Sequence, residues 1–165
     1  MALAVDGLGH GPEAARAAGL AIDTAEAHAA RPLIEIVEEC HRRLLPTRGA
    51  ALSLARWSAP LRRLEWIGVG NVEGLVLQPA AGAGIGRERL LLRSGLVGVN
   101  LPLLRVQAVE VPGDGRLIFA TDGIGREFDR GLDPSDPPQT LADRILVRSF
   151  KGDDDALVLV VRLHA

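Results

Sequence analysis

The sequence has a single cysteine, no basic run and no long apolar stretch, and each shortage removes a class of function. Cys40 alone cannot form an internal disulfide, so nothing points to an oxidising compartment. Residues 1–5 carry no basic n-region and no long apolar h-region, so no secretion signal is read and the cytoplasm is the expected location. The longest unbroken apolar stretch, residues 156–161, falls far short of the roughly 18 residues a membrane span needs. The 19 basic residues are nearly balanced by 21 acidic ones, giving a net charge of −2 with no positive stripe for a phosphate backbone, which argues against nucleic acid. What is present is a chain of 165 residues, 47% hydrophobic and 24% charged. A chain of that size buries roughly 70% of its extended surface, enough for one domain over 1–165 and not for two.

The chain opens on an apolar strand, residues 2–5, and enters the loop Asp6-Gly7-Leu8-Gly9-His10-Gly11. Pro12 and Glu13 then supply the residue types that favour a first helical turn, and the helix is expected to reach about His28. Pro32 opens a second helix, because Leu33, Ile36, Val37, Cys40 and Leu44 recur at helical spacing. From Gly49 the pattern changes to short strand-like runs at 50–57, 61–69, 72–77, 90–92, 105–111 and 117–121, separated by turn residues. Residues 79–86, mostly Ala and Gly, read as a mobile hairpin end or flap. A proline-rich loop at 133–138 leads to a third helix over 139–150 and a closing strand over 156–163. Helices first, then a run of antiparallel-type strands, then helix and strand, is an α+β order, and helices of this length pack on a sheet face.

Acidic residues adjoin apolar strands at three separated corners: Asp6 after the first strand, Asp122 after 117–121, and Asp153 to Asp155 before the closing strand. Two lie at outgoing strand ends and one at an incoming end, so antiparallel pairing is expected to bring all three to one edge of a sheet. Such carboxylates repel one another unless cations sit among their oxygens. With no Cys or His at ligand spacing, an all-oxygen set suits Mg²⁺ or Mn²⁺ and argues against Zn²⁺. Gly7 and Gly123, each following an acid, allow a tight turn that leaves a carbonyl facing a metal. Two such metals about 4 Å apart activate one water for in-line attack on phosphorus. Asp-Gly by itself marks a turn, and Asp114-Gly115, between Pro112-Gly113 and a strand, reads as nothing more.

The ordered segments Val5-Asp6-Gly7-Leu8-Gly9-His10-Gly11, Thr121-Asp122-Gly123 and Asp153-Asp154-Asp155-Ala156-Leu157 resemble the metal-binding motifs of bacterial protein phosphatase 2C-type enzymes, the SpoIIE and RsbX group. Trp66-Ile67-Gly68-Val69-Gly70-Asn71-Val72 resembles the middle of RsbX-like members, so the likeness spans the whole chain. The resemblance implies an αββα sandwich and a cytoplasmic, metal-dependent serine/threonine phosphatase that uses metal-activated water, without a phosphoenzyme. It implies that Asp6 bridges two Mn²⁺ or Mg²⁺ ions, that the Gly7 carbonyl holds one, and that Asp122 and Asp153, with Asp154, complete the set; Asp6, Asp122 and Asp153 are the catalytic candidates. The implied substrate is a phosphorylated STAS-domain regulator, either an anti-sigma antagonist or a stressosome subunit. Ala156 stands where the family often has Thr. The family also carries a Gly-Asp pair on a strand upstream of the first Asp-Gly, and this chain begins five residues before that motif. The expectation is a truncated or misassigned start, or a fold lacking its first strand. An edge left without a neighbour makes homodimerisation an expectation too.

Three other readings compete. A nucleotide-cradling loop needs G-x-G-x-x-G, but Pro stands at position 12, and Asp6 at the loop mouth repels phosphate unless a cation intervenes. A nucleophilic Cys40 beside His41 fails because neighbours in a helix point about 100° apart. His10, in the glycine loop, is a candidate substrate-binding residue or proton donor to a leaving group, against a solvent-facing loop histidine. The third reading is an inactive or weakly active phosphatase-like module that serves as a signalling interaction domain.

Overall fold

The computed structural model describes residues 1–80, 84–152 and 154–164. The chain runs β1 (Ala2–Gly7), α1 (Pro12–Ala27), α2 (Leu33–Leu44), β2 (Ala50–Ser58), β3 (Arg63–Val69), β4 (Glu73–Ala80), β5 (Gly84–Arg89), β6 (Gln107–Glu110), β7 (Gly115–Ala120), α3 (Pro138–Ser149) and β8 (Val158–Leu163). The strands form two four-stranded sheets, ordered β1-β2-β3-β6 and β5-β4-β7-β8. Two sheets and three helices in this order make an α+β fold, the class expected from the sequence. The residues fall into two compact units, one of Met1–Arg56, Glu65–Val72 and Leu91–Ala108, the other of Trp57–Leu64, Glu73–Leu90 and Val109–Ala165.

In the first unit β1 runs antiparallel to β2, with Asp6 opposite Ala51 and Gly7 opposite Ala50. Pro12 occupies the first turn of α1, where a missing N–H costs nothing, and Gly11 caps it at φ 81°. The buried face of α1 is small, Ala14, Ala17, Ala21 and Ala25 with Thr24, so the helix backbone sits close to its neighbours. α2 buries all five apolar positions that its spacing selects, together with Glu39. The Glu39 carboxylate is held by Arg42 and Arg43, one turn on, which offsets the cost of burying it. Leu33, Ile36, Val37 and Leu44 pack with Leu52, Leu54, Ile67 and Val69 in one apolar cluster. Each such side chain removed from water contributes about 1.5–3 kcal/mol.

In the second unit β7 lies between β4 and β8, both antiparallel to it. Every residue of β7 is buried, which explains its uninterrupted apolar run Leu117 to Ala120. α3 lays Leu141 and Ile145 into a cluster with Leu75, Leu77 and Ile118, closed by Ile124, Phe128 and Leu132 from the loop after β7.

One expectation from the sequence is met here and one needs correction. Residues 79–86 form a hairpin end: Pro79 and Ala80 end β4, Gly84 to Gly86 begin β5, and the two strands pair from Leu75–Arg89 to Ala80–Gly84. Only 81–83 lie outside the described residues. The strand expected over 90–92 is in fact β5, six residues earlier, where Arg87, Glu88 and Arg89 hide the apolar alternation that marks a strand. Those arginines clamp the loop after β7. Arg89 donates to Glu73 and Asp129 at 2.7 Å each and to the Arg126 carbonyl at 2.7 Å, and its guanidinium lies 5.4 Å from the Phe128 ring centroid. Arg87 donates to the Leu132 carbonyl at 3.3 Å. We expect Arg89→Ala to cost about 1–2 kcal/mol, because two ion pairs, a main-chain hydrogen bond and a cation–π contact go together at a half-open site. Urea unfolding measures this, with Arg89→Lys recovering only part of the loss.

Candidate metal centre

β1 delivers the first acidic corner. Asp6 is half-buried at the end of the strand, and Gly7 is buried. A Cβ on Gly7 would lie 2.1 Å from the Ala14 carbonyl oxygen and 3.0 Å from the Ala14 Cα, so glycine is required by the approach of the α1 backbone. Gly7 does not lie at positive φ, so the need is steric and not conformational. Leu8 N–H donates to the Gly49 carbonyl at 3.0 Å and fixes the start of the glycine loop. His10 is exposed on that loop. Arg48 pairs with Glu13 at 2.6 Å across the first turn of α1.

β7 delivers the second corner, and here two segments meet. The Thr121 N–H donates to the Leu157 carbonyl at 3.1 Å, and Thr121 Oγ1 accepts the Leu157 N–H at 2.9 Å. This double clip continues the β7–β8 ladder, whose last pair is Ala120–Val158. Just beyond it a Cβ on Gly123 would lie 2.3 Å from the Asp155 carbonyl oxygen, so the Asp122-Gly123 turn rests directly on the 154–156 segment. Asp122 and Asp154 are exposed, and Asp154 Oδ1 accepts the Asp155 N–H at 2.8 Å. Asp153 lies outside the described residues. Lys151, the one lysine of the chain, donates its N–H to the Gly123 carbonyl at 3.0 Å and its Nζ to the Asp122 carbonyl at 2.5 Å. The expectation that Gly123 leaves its carbonyl open is therefore corrected: that oxygen accepts a main-chain N–H. Lys151 was not selected from the sequence, because an isolated cation after a helix carries no pattern. It brings a positive charge to the Asp122 turn.

Antiparallel pairing thus brings the Asp122 and Asp154 segments to one end of one sheet, as the strand ends predict. The expectation of a single sheet edge fails for Asp6, because β1 belongs to the other sheet. Alternation along a strand shows which face is buried and does not encode which strand it pairs with. Among the described residues, no group of three or more His, Cys, Asp or Glu side chains gathers into a metal cage. The donor chemistry of Asp6, Asp122 and Asp154 nonetheless suits hard divalent cations, since each offers carboxylate oxygens and no sulfur or imidazole stands beside them in sequence.

Cys40 is no nucleophile. It is buried in α2, its thiol donates to the Ala21 carbonyl at 3.6 Å, and burial pushes it up to about 11. His41 is engaged elsewhere, its Nδ1 accepting the Gly98 N–H at 2.8 Å.

The profile of one protein family, stage II sporulation protein E (SpoIIE), matches residues 1–164. Comparison with curated protein sequences gave no significant match. Among solved structures, one from work on the bacterial stressosome, a modular system adapted to control secondary-messenger signalling, is 31% identical; the match covers 96% of this chain and 82% of that one at a TM-score of 0.79. RsbX in complex with magnesium is 20% identical over 97% of this chain and 78% of its own, at a TM-score of 0.83. The catalytic domain of the serine/threonine protein phosphatase PstP, in complex with two manganese ions, is 15% identical over 97% of this chain and 85% of its own, at a TM-score of 0.69. The last two likenesses concern the fold alone. No helix among the described residues is long and apolar enough to cross a membrane.

Proposed function

The chain belongs to the stage II sporulation protein E (SpoIIE) family, whose fold is that of protein phosphatase 2C-type enzymes, and from that premise we propose that residues 1–165 form one metal-dependent serine/threonine phosphatase domain. The observation that supports this most is the joined corner of the second unit, where the Asp122-Gly123 turn packs on the acidic 154–155 segment. Asp6, the Gly7 carbonyl, Asp122, Asp153 and Asp154 would hold two Mn²⁺ or Mg²⁺ ions. Bound there, the ions would supply charge neutralisation at the phosphoryl group and would lower the pKa of a water. The reaction breaks the phosphorus–oxygen ester bond; water supplies the oxygen gained by phosphate, and the serine or threonine oxygen leaves with a proton.

The chain's own residues set the stage for that reaction. Main-chain bonds from Thr121 and Lys151 fix the Asp122 carboxylate's point of attachment, and the Lys151 ammonium offsets part of the negative charge collected there. Gly7 lets Asp6 stand at the very start of the helix layer, where a larger residue would collide with Ala14. His10, exposed on the loop after β1, is the proposed substrate-binding residue. The proposed substrate is a phosphorylated STAS-domain protein of a partner-switching system, an anti-sigma antagonist or a stressosome subunit, in the cytoplasm. Homodimerisation through the β1 edge is part of the same proposal. Hydrolysis of p-nitrophenyl phosphate by the full chain with Mn²⁺, and its loss on chelation, tests the reading. Absence of turnover with either cation favours the interaction-module reading instead.

A further inference from the structure

The loop after β7 and the end of α3 enclose an open cavity of about 530 Å³ within the second unit. Its lining sets four arginines, Arg126, Arg130, Arg144 and Arg148, against a single acid, Glu127. That local excess of positive charge runs against the chain's net −2. Two of the four are neutralised: Arg130 pairs with Glu127 at 2.5 Å and Arg144 with Asp136 at 2.7 Å. Among the described residues Arg126 and Arg148 have no carboxylate partner, and both are exposed. The floor is apolar, with Phe128 and Leu132 buried, and the rim carries Phe150 at 52% exposure.

We propose that this cavity docks an acidic segment of the protein substrate, next to its phosphorylated residue; the inference rests on the phosphatase reading and gives that site a selectivity. Position supports it. The cavity wall starts at Gly125, three residues after Asp122, so their Cα atoms lie at most about 11 Å apart. The wall ends at Phe150, next to Lys151, and the two sides are tied by the Gly125 N–H to the Ser149 carbonyl at 2.7 Å. A polypeptide with its phosphorylated residue at the Asp122 corner therefore has its third or fourth neighbour at the arginines. The chemistry supports it too. All four cations are arginines, whose planar forks grip carboxylates with two parallel hydrogen bonds, and an exposed aromatic beside arginine is the pairing that protein interfaces favour. Leu146 and Val147, exposed on the last turn of α3, add apolar surface next to the rim that a free nucleotide would not use. The cavity is also held open in advance, since Arg89, from β5, clamps the Arg126 carbonyl and the Asp129 carboxylate.

The test uses two labelled peptides, Glu-Glu-Ala-Ala-phosphoSer-Ala-Ala-Glu-Glu and Gln-Gln-Ala-Ala-phosphoSer-Ala-Ala-Gln-Gln, which differ only at the third and fourth neighbours, titrated with the full chain by fluorescence anisotropy without added metal. The wild type binds the acidic peptide about tenfold more tightly or better, and the preference shrinks as salt rises. Arg126→Glu with Arg148→Glu removes the preference and, with Mn²⁺ present, raises KM for the acidic peptide by about tenfold while kcat on p-nitrophenyl phosphate stays within about twofold. A wild type without preference, a double variant that keeps it, or displacement of the acidic peptide by a mononucleotide at lower concentration than by the unlabelled peptide overturns the docking site. Preferential binding by a chain that hydrolyses neither ester overturns the phosphatase reading and leaves the docking site standing.

Discussion

Asp122→Ala lowers Mn²⁺-dependent hydrolysis of p-nitrophenyl phosphate by about 10³-fold or more, a loss of about 4 kcal/mol in transition-state stabilisation. The same substitution leaves the fold in place. The corner is tied by main-chain bonds, Thr121 N–H to the Leu157 carbonyl at 3.1 Å and Lys151 N–H to the Gly123 carbonyl at 3.0 Å, and by Lys151 Nζ on the Asp122 carbonyl. Tm is read beside turnover for each variant. Loss of turnover with an unchanged Tm separates a catalytic role from a structural one. Asp6→Asn moves turnover the same way. Activity equal to wild type in either variant rules out that residue as part of the centre.

The second large effect is on stability and comes from the two glycines that follow those acids. A Cβ at Gly123 would meet the Asp155 carbonyl oxygen at 2.3 Å, and one at Gly7 the Ala14 carbonyl oxygen at 2.1 Å. Both obstacles are backbone, so no rotamer change relieves them. Gly7→Ala and Gly123→Ala each cost about 3 kcal/mol or more and lower Tm by about 6–12 °C. Gly19, inside α1 with nothing within 4 Å of where a Cβ would stand, is the matched control. There Ala is expected to stabilise by about 0.4–1 kcal/mol, because it restricts the unfolded chain and suits a helix interior. Differential scanning fluorimetry of the three variants checks the ranking. A neutral Gly123→Ala means that the turn does not rest on the 154–156 segment.

How much of this was legible in advance depends on the kind of information each element carries. α2 was readable residue by residue because burial at 3.6-residue spacing leaves a mark on Leu33, Ile36, Val37, Cys40 and Leu44, and all five are buried. β7 was readable for a related reason, an apolar run short enough for a strand and ended by Thr121 and Asp122. β5 was not, since Arg87 and Arg89 face outward from an edge strand and serve the loop after β7 through long side chains. Of the candidate centre, the sequence revealed the acids and the glycines but not the reason for the glycines, which lies in the approach of backbones distant in sequence. Lys151 and the arginines of the docking cavity were invisible to it, because Arg126 and Arg148 are 22 positions apart and share a wall only after α3 has packed.

The central proposal is that the Asp6 and Asp122 carboxylates take part in holding divalent ions, and a calorimetric Mn²⁺ titration of the full chain addresses it without any substrate. The wild type binds two ions, and Asp6→Asn and Asp122→Asn each weaken binding by about tenfold or more. Wild-type affinity in both single variants contradicts it.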